Sequence, residues 1–182
     1  DDLRALQSSP PALVAEQARI GAWLAEPSPV QFYLVQGQDQ AELLAREEAL
    51  VAKLEALRLE GFIDGHRALS DWVPSPGRQA QDRALSQPAA RAARQAIEAD
   101  LGASNAAAMP LADQPLTLDQ WLASPLAQPL RPLYLGQIDG AFQSVVQVHG
   151  LESAEQLPRL QAQASGLPGV AWVDRIGDYS RL

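Results

Sequence analysis

Residues 30–61, VQFYLVQGQDQAELLAREEALVAKLEALRLEG, change hydrophobic period within one stretch. Val30, Phe32 and Leu34 alternate with Gln31 and Tyr33, the two-residue period of a strand. Asp39 then stands three residues before Glu42, the spacing of a capping box with Asp in place of Ser or Thr. The helix predicted beyond it puts Leu43, Leu50, Leu54 and Leu57 on one face, with Glu47, Lys53 and Arg58 elsewhere. Gly61 supplies its stop. A strand that runs straight into a helix needs a second strand. FIDGHRALSDWV, residues 62–73, is the candidate, although Asp64-Gly65 interrupts it. The whole reads as a β-α-β unit over 27–73.

The flanks extend this unit. Within 1–26, Pro10-Pro11 opens a helical segment striped by Leu13, Gln17, Ile20 and Leu24. Between 74 and 131, Ala, Gln and Arg dominate and prolines recur, which we read as a helical insertion. Ser75 before Pro76 is a helix start, since proline at the first helical position loses no hydrogen bond. Pro88 is expected to break or restart that helix, which then runs on to Gly102, and GASNAAAMPLADQP reads as a mobile loop. Thr117 with Gln120 forms a second capping box, opening a short helix with Trp121 and Leu122.

Over 132–182 the strand signals return. Asp139-Gly140 between two apolar runs marks a hairpin. Phe142, Ser144, Val146 and Val148 then share one face, and Gln143, Gln147 and His149 the other, which should be wet. A helix with Leu157, Leu160 and Ala164 follows, with Pro158 in its first turn and Gly166 as its end. GVAWVDRI is the last strand. Strand, helix, strand, insertion, hairpin, helix, strand is the β-α-β-β-α-β order of a ferredoxin-like split unit. The expectation is one α+β domain over 1–182, of ferredoxin-like type with a helical insertion.

Composition narrows the function classes. The 182 residues carry a net charge of -8, and Lys53 is the only lysine, which argues against nucleic acid as a partner. The absence of cysteine excludes disulfides, thiol catalysis and Cys-ligated metals. No apolar run approaches the ~20 residues that span a bilayer. The opening without methionine and the ending at DYSRL read as a piece of a longer protein, with a processed mature chain as the alternative.

Chemistry has few places to reside. His66, Ser70 and Asp71 fall close together in HRALSDWVPSPGRQAQDRAL, but a serine relay needs its histidine within hydrogen-bond reach. In an extended strand His66 and Ser70 lie about 13 Å apart at ~3.3 Å per residue, and Asp71 faces the other way. The stretch also lacks Gly-x-Ser-x-Gly. It reads instead as a strand end and turn, with Trp72 buried and Ser75 capping a helix. His66 and His149 have no partners at metal-ligand spacing. No phosphate-cradling loop appears, and Arg78, Arg83, Arg91 and Arg94 read as a solvated face. No catalytic, cofactor-binding or metal residue is expected, and no cofactor.

Several segments carry a resemblance: DDLRALQSSPP, FYLVQGQDQAELLAREEALVAKL, ALSDWVPSPGRQAQDRAL, LTLDQWLASP and GLPGVAWVDRIGDYSRL. Together they resemble a periplasmic loop of the MMPL-like exporters of the RND superfamily, in the branch linked to fatty-acid or aryl-polyene-type products. The most specific positions are Ser70, Asp71, Trp72, Pro74, Ser75, Gln79, Asp82 and Arg83. The resemblance implies a non-enzymatic porter domain at the periplasmic face of a bacterial inner membrane, in a proton-driven transporter. Its partners would be the transmembrane helices and the other extracytoplasmic domain of the same protein, with a hydrophobic small-molecule substrate. A free-standing periplasmic module that binds a lipid or a protein is the alternative, resting on Trp121 and Leu122. It would be marked by a signal peptide just before Asp1 and a stop just after Leu182.

Overall fold

The computed structural model describes residues 31–101, 114–151 and 153–174. The expected helix within 1–26, the expected loop over 102–113 and the expected approach of residues 1 and 182 lie outside them.

The first strand, β1 (Gln31–Gly37), leads into helix α1 (Gln40–Leu59). The Asp39 side chain accepts from the Glu42 amide at 2.7 Å, and the Glu42 carboxylate takes the Gln38 amide in return. At the other end the Phe62 amide reaches the Leu57 carbonyl and the Gly61 amide that of Arg58. That pair of bonds is a Schellman closure, centred on the glycine expected to stop the helix. Between β1 and α1 the chain turns so tightly that a Cβ on Gly37 would sit 2.4 Å from the Leu43 nitrogen.

After α1 the extended stretch is short, and β2 spans only Gly65–Arg67. The longer strand expected over 62–73 does not form, because residues 69–73 make a helical turn instead. Helix α2 (Pro76–Leu101) and the six-residue α3 (Leu118–Ala123) come next, then a 3₁₀ stretch over Pro125–Leu133. The hairpin β3 (Tyr134–Ile138) and β4 (Ala141–His149) follows, then α4 (Leu157–Ala164) and β5 (Val170–Asp174). Asp139 and Gly140 both have positive φ, 51° and 82°, as a two-residue hairpin turn demands.

The fold is α+β, with one five-stranded antiparallel sheet. Its order is β2-β4-β1-β5, and β3 pairs with β4 on the same side as β2. Since β4 is antiparallel to both β1 and β2, those two run parallel with β4 between them. By the same logic β4 and β5 run parallel with β1 between them.

Helices α1 and α4 cover one face of the sheet. Tyr33, Val35, Val146 and Val148 point into this layer against Leu43, Leu50, Leu54, Leu57 and Leu160. Each such leucine is worth ~1.5–3 kcal/mol by burial. The Tyr33 hydroxyl donates to the Leu160 carbonyl at 2.7 Å, tying sheet to helix, and burial raises its pKa. The other face, expected to be wet, is partly open to solvent, with Ala171 exposed. Phe32, Leu34, Val145 and Val173 share it with the glutamines and are half-buried, and Gln143 is buried with its amide on the Ile138 carbonyl.

A second apolar cluster joins Leu44, Leu69 and Val73 to Leu118, Trp121, Ala127, Leu130 and Leu133. Trp121, the side chain on which a lipid-binding surface rested, is core here. Helix α2 behaves differently. It runs unbroken through Pro88, contrary to expectation. Proline removes the donor to the Ala84 carbonyl, but both residues are exposed, which leaves that carbonyl on the solvent side of the helix. Beyond Arg83 nearly all its described side chains are exposed, Leu85 at 79% and Ile97 at 52%.

Candidate functional site

The segment 66–83 runs along α1 and is tied by side-chain hydrogen bonds to that helix and to Leu116. Its centre is one helical turn, in which the Leu69 carbonyl accepts from the amides of both Trp72 and Val73 at 3.0 Å. Four residues apart, Leu69 and Val73 fall on one side and enter the second cluster. Ser70 completes the buried arc, and Trp72 lies past its edge. Trp72 is therefore 59% exposed, and the expectation that it would be buried is wrong. Strand reasoning had no way to place it on a helical turn.

Two adjacent carboxylates of α1 hold this turn. Glu47 is fully buried. It accepts from the Ser70 amide at 2.8 Å and from the Ser144 hydroxyl of β4 in a short bond. Burial pushes its pKa up to about 7, and the neighbouring Asp71 adds to the rise; the hydrogen bonds from Ser144 and Ser70 oppose it. The Ser70 Oγ is buried and makes no hydrogen bond of ordinary geometry, although it lies near enough to favour the ionised carboxylate. Glu48 takes the Ser75 amide at 2.6 Å and the Ser75 hydroxyl at 2.8 Å. That hydroxyl accepts in turn from the Arg78 amide at 3.2 Å, so Ser75 caps α2 as expected.

The remaining motif residues secure the flanks. Asp71 accepts from the Ala68 amide at 3.1 Å, and its other oxygen lies 3.4 Å from His66 Nε2. Extended geometry had put Asp71 out of reach of His66; the turn folds the chain back and brings them together. Gln79 donates to the carbonyls of Pro74 and Leu116 and accepts from the Leu116 amide at 2.8 Å. It thereby pairs with Leu116 as a neighbouring strand would. Asp82 meets Arg78 at 3.4 Å in an exposed pair, of a kind worth ~0–1 kcal/mol. Arg83 is half-buried further along α2.

This arrangement fastens and does not relay protons to a nucleophile. The Ser70 hydroxyl is buried and is not bonded to the imidazole, so His66, Ser70 and Asp71 form no serine relay. Among the described residues no group of three or more acidic or imidazole side chains could hold a metal. Two open clefts of about 400 Å³ each flank the site. One is polar, lined by Glu48, Glu55, Ser70, Asp71, Arg78 and Asp82. The other is apolar, with Leu44, Pro76, Leu116, Leu118 and Phe142 on its walls.

Sequence reasoning missed Glu47 and Glu48. The signal for Glu47 was present: it sits four residues after Leu43 and three before Leu50, in the middle of the buried stripe it was assigned to avoid. Glu48 faces away from the sheet and carried no such mark.

No helix among the described residues is long and apolar enough to cross a membrane. No protein-family model, no curated protein and no solved structure matches the chain.

Proposed function

We propose that this chain is a ferredoxin-like, porter-type domain on the periplasmic side of a proton-driven exporter of lipid-like or polyketide-like molecules, with a mechanical role and no catalytic one. The observation that carries this reading is the interleaving of two split β-α-β units, β1-α1-β2 around β4 and β4-α4-β5 around β1. Such units are the building blocks implied by the resemblance of ALSDWVPSPGRQAQDRAL and its companions to MMPL-like exporters. The motif positions support it further, since Ser70, Asp71, Ser75 and Gln79 join elements to one another. Partners would be the transmembrane helices and the second extracytoplasmic domain of the parent. The apolar cleft beside Leu116 and Phe142 favours a second reading, a free periplasmic module that binds a lipid or a protein.

The chain itself has no cysteine, which makes labelling a direct test. Trp72→Cys in the otherwise cysteine-free parent should react with a membrane-impermeant maleimide in cells whose outer membrane alone is opened. Reaction only after the inner membrane is lysed would sink both readings. The parent gene separates them: apolar segments of ~20 residues close to either end are required by the first and excluded by the second.

A further inference from the structure

The hydrogen bonds of the Glu47 carboxylate are divided between the sheet and a short turn outside it. Ser144 lies in β4 with β1 paired on one side and β3 on the other. Ser70 lies outside the sheet, in a single helical turn closed by the Leu69 carbonyl and held to α1 by its own amide on Glu47. Just outside Ser70 is the polar cleft, so a small outward movement of the turn would bring water to the carboxylate. We propose that Glu47 is a proton-operated latch: protonated, it keeps the Leu69–Val73 turn seated against α1 and the sheet; ionised, it favours release of the turn and of the root of α2.

The surrounding charges set the direction. From the turn, Asp71 faces Glu47 and repels its charge. From β2, His66 is engaged with Asp71. From α1, Arg46 is turned to the Gln36 carbonyl and Glu42, and Glu48 to Ser75. β4 presents only the Ser144 hydroxyl, and the Tyr134 hydroxyl of β3 is directed to Gln40. No cation among these groups is hydrogen-bonded to Glu47, so its ionised form relies on the Ser70 amide and on the nearby hydroxyls of Ser144 and Ser70. Burial without a counter-ion favours the neutral acid, in line with a carboxyl that titrates near neutrality. Water that reaches the carboxylate in the open turn restores its ordinary titration. Opening therefore becomes easier as pH rises through neutrality. This inference stands independently of the proposed transport role.

The test is amide hydrogen exchange over residues 68–75 of the 182-residue chain at pH 6 and pH 8, corrected for intrinsic rates. With titration near 7 in the closed turn and near 4.5 in the open one, protection should fall about tenfold between the two pH values. Glu47→Gln keeps the size, the acceptor for Ser70 and a group for Ser144, and its protection should not change. A flat wild type, or the same fall in Glu47→Gln, overturns the latch. As a second measurement that needs no variant, ¹³C-detected titration of the Glu47 carboxyl should show a midpoint near 7. A midpoint in the ordinary carboxylate range overturns the latch equally.

Discussion

Gly37→Ala tests the joint between β1 and α1, where the contacts of an added Cβ are all with backbone. Gly37 has an ordinary backbone conformation, since its φ is not among the positive ones, so alanine meets no torsional objection there. The obstacle is space. A Cβ would lie 2.4 Å from the Leu43 nitrogen, 2.8 Å from the Leu43 Cα and 2.9 Å from the Asp39 carbonyl oxygen. All three are backbone atoms of the first turn of α1, so no side chain can swing aside. Relief requires the helix start to move by about 1 Å, against the Asp39 cap and the 2.5 Å bond from Arg46 to the Gln36 carbonyl. Overpacking costs ~1–3 kcal/mol, and disturbing the cap adds ~1 kcal/mol. We expect about 3 kcal/mol, or roughly 6–12 °C in Tm for a chain of this size.

Two control glycines separate space from torsion. Gly140 has open space around it but a φ of 82°, so alanine there should cost only ~1–2 kcal/mol. Gly65 has neither obstacle and should tolerate alanine within ~0.5 kcal/mol. Urea unfolding followed by circular dichroism would rank the three. A Gly37→Ala variant within 1 kcal/mol of wild type, or less damaging than Gly140→Ala, would refute the steric argument.

Lys53→Met should cost about 1 kcal/mol by urea midpoint, because the lysine donates to the carbonyls of Gln163 and Ser165 at the end of α4. Faster exchange of the α4 amides should accompany it. Trp72→Ala should leave stability within ~0.5 kcal/mol of wild type; a loss several times larger in the same titration would mean that its exposed indole is packed after all. The Glu47 carboxyl gives stability a pH dependence. Its folded pKa of about 7 lies above the ordinary 4.5, so the folded state binds the extra proton between those values. This contribution is fully present below pH 4.5 and is lost as pH rises to 7, by ~3 kcal/mol in total. Glu55, lowered by its bond from Arg58, works weakly in the opposite sense. Glu47→Gln should be the more stable protein at pH 8, and its unfolding free energy should vary less between pH 5 and 8.

Features governed by neighbouring residues were legible in the sequence. The caps at Asp39 and Thr117, the stop at Gly61 and the Asp139-Gly140 hairpin all depend on atoms within a few positions. What escaped depended on contacts distant in sequence. Glu47 is polar in composition but occupies a core position because Ser144, 97 residues away, and Ser70 supply its hydrogen bonds. The fate of Trp72 hung on whether 69–73 extended or coiled, and Leu69 and Val73 coil because the second cluster takes both. Pro88 was overestimated as a breaker, since an exposed helix can leave one carbonyl to solvent. Of the candidate site, Ser75 was assigned its role from sequence alone, whereas the carboxylate that holds it was not.

The exposed run of α2 has a mechanical consequence. Glu48 grips Ser75 and Leu116 grips Gln79, so both fastenings lie within the first few residues of the helix. From Arg83 to Leu101 it extends ~27 Å at 1.5 Å per residue. Among the described residues the helix beyond Arg83 is exposed and its root is held at Ser75 and Gln79, so a tilt of ~5° at that root displaces Leu101 by ~2 Å on the same geometry. By this lever geometry, a sub-ångström adjustment around Ser75 corresponds to a displacement of a few ångströms at the distal end of the helix.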